Sequence, residues 1–193
     1  MIKRVLLFTC VCTLAVLSTS AQTFRNKLFP SNEISGEEFK KQAINKIQSL
    51  QNYLEVLVKK DQNTSKTAKN AAVANAVRLF SDENRIVEVN STSRPKPRKL
   101  KVRQYLVKLA FLSEKVYDKV TIRFYDVFFI SNFKKRPDGK YEAVVSMSQK
   151  FTGEGDRPYS DVVQKNIQII LVPIQKPEGT YYEVKLGDIS ITD

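Results

Sequence analysis

A carboxylate inside an apolar row is the first place where this sequence could do chemistry. On a regular strand from Thr121, Ile122, Phe124, Asp126, Phe128 and Ile130 share one face, and Arg123, Tyr125, Val127 and Phe129 share the other. Asp126 in such a row would be desolvated and its pKa raised, the condition for a general acid or base. Its partner depends on the turn at Arg136-Pro137-Asp138-Gly139. If Arg136 faces Gly139, Asp126 faces Gln149 and both rows are apolar. If a type I turn with a glycine bulge makes Arg136 face Lys140, Asp126 faces Lys150, with Ser146 and Ser148 nearby. It is then a surface ion pair worth under about 1 kcal/mol. The turn residues favour the second register and the hydrophobic pattern the first.

Lys165 raises the same question on the next strand, where it shares a face with Val163, Ile167, Ile169 and Leu171. Its long stem can carry the amine to solvent from an apolar row, and Asp161 on the same face can pair with it. A Schiff-base lysine is the sharper alternative. A third feature is basic: Arg94, Lys96, Arg98, Lys99, Lys101 and Arg103 follow closely, with Pro95 and Pro97 holding the chain extended. That run would suit a polyanion, with Lys134-Lys135-Arg136 as a second patch. No aromatics interleave to stack bases, so nucleic acid is disfavoured and a solvated loop is the plain reading.

Absent residue types exclude further chemistry. There is no His and no Trp, so no Ser-His-Asp or Cys-His machinery and no imidazole metal site. Gly153-Glu154-Gly155 is acidic and opens no helix, so it is no phosphate cradle. Nothing in the residue pattern calls for a metal or a cofactor.

The elements that must position these groups read as helices first, then strands. Phe39, Ala43, Ile47, Leu50, Leu54, Leu57 and Val58 form one helical stripe, with Glu37 and Glu38 in the first turn. Ser65 is the expected N-cap of a second helix, with Val73, Ala76, Val77 and Phe80 inward. A short strand over Arg85 to Asn90 precedes the basic loop, Ser91 to Lys99. A third helix then carries Val102, Tyr105, Leu109 and Leu112 on one face. Four long β runs follow: Thr121 to Phe133, Tyr141 to Thr152, Asp161 to Pro173 and Tyr181 to Ile191. Turn-forming segments rich in Gly and Pro separate them, so the strands should run antiparallel and bend over the helical stripes. Gly187-Asp188 interrupts the last alternation and reads as a β-bulge.

The 193 residues, 42% hydrophobic and 27% charged, suit one globular domain. Lys3-Arg4, the apolar run Val5 to Leu17 and Ser18-Thr19-Ser20-Ala21 have the layout of a secretory signal peptide cut after Ala21. The run is too short to serve as a membrane anchor, which needs about 20 residues. Both cysteines, Cys10 and Cys12, lie within it, so the exported chain would have no disulfide. Residues 22 to 36 read as a loose N-terminal segment and 37 to 193 as a single domain. Removing Lys3 and Arg4 leaves most of the net charge of +12, a surface that favours anionic partners.

Two helices, a short strand, a third helix and a long antiparallel meander make up an order that resembles the NTF2-like, cystatin-like superfamily. Gln149-Lys150-Phe151-Thr152-Gly153, Tyr159-Ser160-Asp161-Val162 and Val184-Lys185-Leu186-Gly187-Asp188-Ile189 resemble segments of uncharacterised exported bacterial members. The resemblance implies an α+β cone of helices on a curved sheet, lined here by Tyr105, Asp126, Gln149 and Lys165. One activity it implies is a non-catalytic binding or protein-interaction domain, with a small molecule, a protein or a second copy of the chain as partner. The other is an isomerase, dehydratase or cyclase using Asp126 with a Tyr or Gln donor. With no catalytic constellation visible, the binding domain is the expectation.

Overall fold

The computed structural model describes residues 33–34, 36–60, 65–90, 96–177 and 179–192. The expected signal peptide and Arg94 of the basic loop lie outside them. Helix α1 spans Glu37–Val58 and buries all seven residues of the expected stripe. Burial of each large aliphatic side chain stabilises the fold by roughly 1.5–3 kcal/mol. Helix α2, Lys66–Arg78, starts where Ser65 accepts a hydrogen bond from the Ala68 amide at 3.1 Å. Helix α3, Val102–Lys115, buries Val102, Tyr105, Leu106 and Leu109. Its cationic start is offset by the pair of Arg103 with Glu83 at 3.7 Å.

The helices cover one face of a mostly antiparallel, unclosed curved sheet, the α+β arrangement expected from the sequence. Its centre is the pair β6 (Tyr141–Glu154) and β7 (Tyr159–Lys176), which stay in one register from Tyr141↔Leu171 to Gly153↔Tyr159. Beyond β7 lie β8 (Gly179–Ile191), then β2 (Ile86–Val89) and β3 (Arg98–Lys101). Strand β2 runs parallel to β8, with Val87 opposite Ile189. The last residues of the expected basic loop are thus a paired strand. On the other side of β6 lie β4 (Lys119–Phe129) and β5 (Phe133–Lys135), and β5 also pairs with β1 (Glu33–Ile34) inside the segment expected to be loose.

Thr121 to Phe133 is not the one regular strand that its composition suggests. At the turn the second register holds: the Arg136 amide donates to the Lys140 carbonyl at 2.8 Å and Gly139 takes φ +78°. The chain then breaks between Phe129 and Phe133, where the Ser131 hydroxyl receives the Val144 amide at 2.8 Å. A second slip follows between Tyr125 and Phe128, where Asp126 and Val127 together stand opposite one residue of β6. Asp126 adopts φ +52°, a left-handed conformation that Asp tolerates better than most side chains. This bulge inverts the alternation. Val120, Ile122, Phe124, Val127 and Phe129 pack on the core, while Phe128 and Ile130 are 50% and 52% exposed on the far face.

The expected bulge at Gly187-Asp188 is present: Ile167 faces Ile189, but Ile169 faces Leu186. Asp188 uses the kink to reach β2, accepting the Ile86 amide at 2.8 Å and approaching Arg85 at 3.8 Å. A Cβ at Gly187 would lie 2.7 Å from Gln168 Cβ and 3.0 Å from Ile170 Cδ1. Gly187→Ala should therefore destabilise the protein by about 1–3 kcal/mol, read as a lower urea midpoint at unchanged slope.

Candidate functional site

Residues between Val89 and Lys165 converge on a cavity of about 380 Å³ between α3 and the sheet. Helix α3 contributes Tyr105, Lys108, Leu109 and Leu112, and β6 contributes Gln149 and Phe151. From β7, Tyr159, Asp161, Val163 and Lys165 point into it at alternate positions. The β2–β3 hairpin closes one side with Val89, Arg98 and Leu100. Tyr117 closes another, its ring lying against Gly153 where any Cβ would be within 2.8 Å. Phe151 links two more rings, with centroids 5.9 Å from Tyr117 and 6.0 Å from Tyr159.

The polar groups are graded by depth. Lys165 is 2% exposed, and its amine donates to the Glu88 carbonyl of β2 at 2.8 Å. The long stem therefore does not carry the amine to solvent as expected, because β2 offers a carbonyl within reach inside the fold. Burial pushes its pKa down to about 8, while the charges of Asp161 and Glu88 act in the opposite direction. Asp161 accepts the Tyr159 hydroxyl at 2.8 Å. Burial raises Tyr159 to about 12, and the hydrogen bond to Asp161 and its charge add to the shift. Tyr105 is also driven to about 12 by burial, against a smaller opposing effect of its hydrogen bond with Gln149. At neutral pH both phenols are therefore neutral hydrogen-bonding groups.

The structure unites three of the expected cone residues, Tyr105, Gln149 and Lys165, and leaves Asp126 out. Asp126 is exposed at its bulge, so the carboxylate on which the alternative enzyme reading relied is not in the cavity. Phe124 faces Gln149 instead. The cavity's carboxylate is Asp161. The sequence carried a signal for it, because Tyr159, Asp161, Val163 and Lys165 share one parity on the strand. The basic run is divided by the pleat of β3. Arg98 lies with Leu100 on the cavity side, whereas Lys99 pairs with Glu88 at 3.6 Å and Lys101 donates to Asn84 at 2.9 Å. Lys96 and Arg103 are exposed.

The fold and the site together define an α+β protein with a ligand-sized cavity between its third helix and a curved sheet. No protein-family model matches the sequence, and no curated protein does. Among solved structures, ActVI-ORFA from Streptomyces coelicolor is similar over 80% of this chain and 96% of its own, at 13% identity and a TM-score of 0.45. Aln2 from another Streptomyces species is similar over 81% of this chain and 94% of its own, at 9% identity and a TM-score of 0.41. A periplasmic fragment of TraM covers 77% and 96%, at 11% identity and a TM-score of 0.42. Among the described residues, no helix is long and apolar enough to cross a membrane.

Lys165 has a consequence for stability. Below pH 8 the folded and unfolded chains both hold its proton, and the fold bears the full cost of the buried charge. Between about 8 and its ordinary 10.5 the unfolded chain binds more of that proton, so this group makes stability rise with pH. Lys165→Met should remove that rise. The unfolding free energy of wild type relative to the variant should grow by about 1–3 kcal/mol from pH 7 to pH 10, measured by denaturant titration at each pH.

Proposed function

We propose that this chain is an exported, NTF2-like binding domain that holds a small molecule in the cavity beneath α3. The observation that carries the reading is the cavity itself: about 380 Å³ with an apolar wall of Leu109, Leu112, Phe151 and Val163 and a few convergent polar groups. Ligand sites have this size and make-up, and a cone filled by side chains would not. Export rests on the leader-like sequence of residues 1 to 21.

A second reading is favoured by Asp161. A carboxylate hydrogen-bonded to a phenol and facing the same cavity as a buried amine has the parts of an acid–base site. It would make the chain a small-molecule isomerase, dehydratase or cyclase acting through Asp161 rather than Asp126. Polyanion binding by Arg94 to Arg103 has less support, because Lys99 and Arg103 already have acidic partners.

Val163→Trp should fill the cavity while leaving the fold intact by circular dichroism. In ligand-observed NMR with a mixture of small organic molecules, wild type should show bound species and the filled variant none. Binding that survives the substitution, or none in wild type, would sink the proposal. Asp126→Asn should leave binding unchanged, and turnover abolished by Asp161→Asn would favour the enzyme reading.

A further inference from the structure

Among the described residues, Lys165 has no counter-ion in contact with it. Its amine carries three N–H groups and donates to one neutral carbonyl, that of Glu88. Asp161, four residues away on the same strand, acts on it through charge, but its contact is with the Tyr159 hydroxyl. Four residues of strand separate the two by roughly 13 Å at the backbone. The Glu88 carboxylate instead receives the Ile191 amide at 2.9 Å and approaches Lys99. Directly across the sheet from Lys165 stand Met147 on β6 and Ile191 on β8, neither of which can carry charge. Burying an ammonium this way costs the fold unless a partner completes it.

The cavity supplies room for that partner and limits what it can be. Beyond Lys165 the surface is apolar along Val163, Leu109 and Phe151, and Tyr105 with Gln149 sits between as a neutral pair. Arg98 of β3 and Lys108 of α3 add positive charge at the wall, whereas Asp161 sets a negative charge against any second anionic group. Lys165 is the one buried cation of this lining, whereas Arg98 and Lys108 are exposed to water with Asp161 nearby, so the desolvated end favours one anionic group carried on an apolar body.

Resting on the reading of the cavity as a ligand site, we propose that its ligand is a small organic monocarboxylate, whose head group pairs with the Lys165 ammonium while its apolar part lies over Val163, Leu109 and Phe151. The ammonium acts as a point charge with N–H groups left to donate a charge-assisted hydrogen bond to a carboxylate oxygen. Binding of such an anion must favour the protonated amine. Since the empty site loses that proton near pH 8, affinity for the acid should fall above pH 8, far below the range of an ordinary lysine. Glu88, Asp161, Arg98, Lys108, Tyr105, Tyr117 and Tyr159 are the other titratable groups facing this region. Tyr105 and Tyr159 titrate near 12, and so would not account for a midpoint near 8.

The test uses matched acids and primary amides: benzoate with benzamide, 3-phenylpropanoate with 3-phenylpropanamide, and octanoate with octanamide. Dissociation constants are measured by NMR titration of the full chain at pH 6.5 and pH 9.5. At pH 6.5 at least one acid should bind about tenfold or more tightly than its amide. That preference should shrink at pH 9.5 and vanish in Lys165→Met, with the amide's affinity retained. The pH comparison in wild type stands even if the variant fails to fold. Equal binding of acid and amide, or a preference that survives in Lys165→Met, overturns the assignment and leaves the cavity reading standing. No binding by any of the acids or amides overturns both.

Discussion

The unbroken ladder between β6 and β7 is the constraint on which the rest of the structure depends. From Tyr141↔Leu171 to Gly153↔Tyr159 the two strands never slip. Their neighbours do: β4 slips against β6 at Asp126-Val127, and β8 against β7 at Gly187-Asp188. Each slip inserts a residue into a flanking strand and bends it away from the central pair. A flat sheet would meet α3 along its length and leave no space beneath it. Curvature lifts the helix from the later half of β6 and the start of β7, where the cavity forms. The same fixed ladder sets Gln149 and Phe151 beside Val163 and Asp161, so the site inherits its geometry from the most regular part of the fold.

Much of this was legible in sequence. The stripe from Phe39 to Val58 could only be a helix face, and Ser65 could be read as a cap because its hydroxyl has an orphan amide to serve. The meander followed from its turn residues, and the bulge at Gly187-Asp188 from a parity that could not be continued. Asp126 misled because alternation is a local rule and a bulge cancels it without an obvious mark in composition. The extra residues on the outer strand are fixed by the curvature of the whole sheet, and no short window contains that. The paired strand at the end of the basic loop was hidden for a related reason. Arg98, Lys99 and Lys101 have poor strand propensity, and β3 owes its pairing to β2 and to the burial of Leu100.

The candidate site was half visible. Tyr105, Gln149 and Lys165 could be named because each stands in an apolar row, an unusual place for a polar side chain. That they meet in one volume depends on how α3 crosses the sheet. Tyr117 is a similar case: its ring can lie against β6 only because Gly153 has no side chain, a contact between residues far apart in sequence.

The bond from Lys165 to the Glu88 carbonyl joins the floor of the cavity to its side wall. Strand β2 meets β8 at Val87↔Ile189, where Asp188 also accepts the Ile86 amide and the Glu88 carboxylate receives the Ile191 amide. The amine is thus a rivet through the margin of a thinly stitched flap. A guest that draws Lys165 inward must tug on that flap, so filling the chamber and stiffening its rim become one mechanical event.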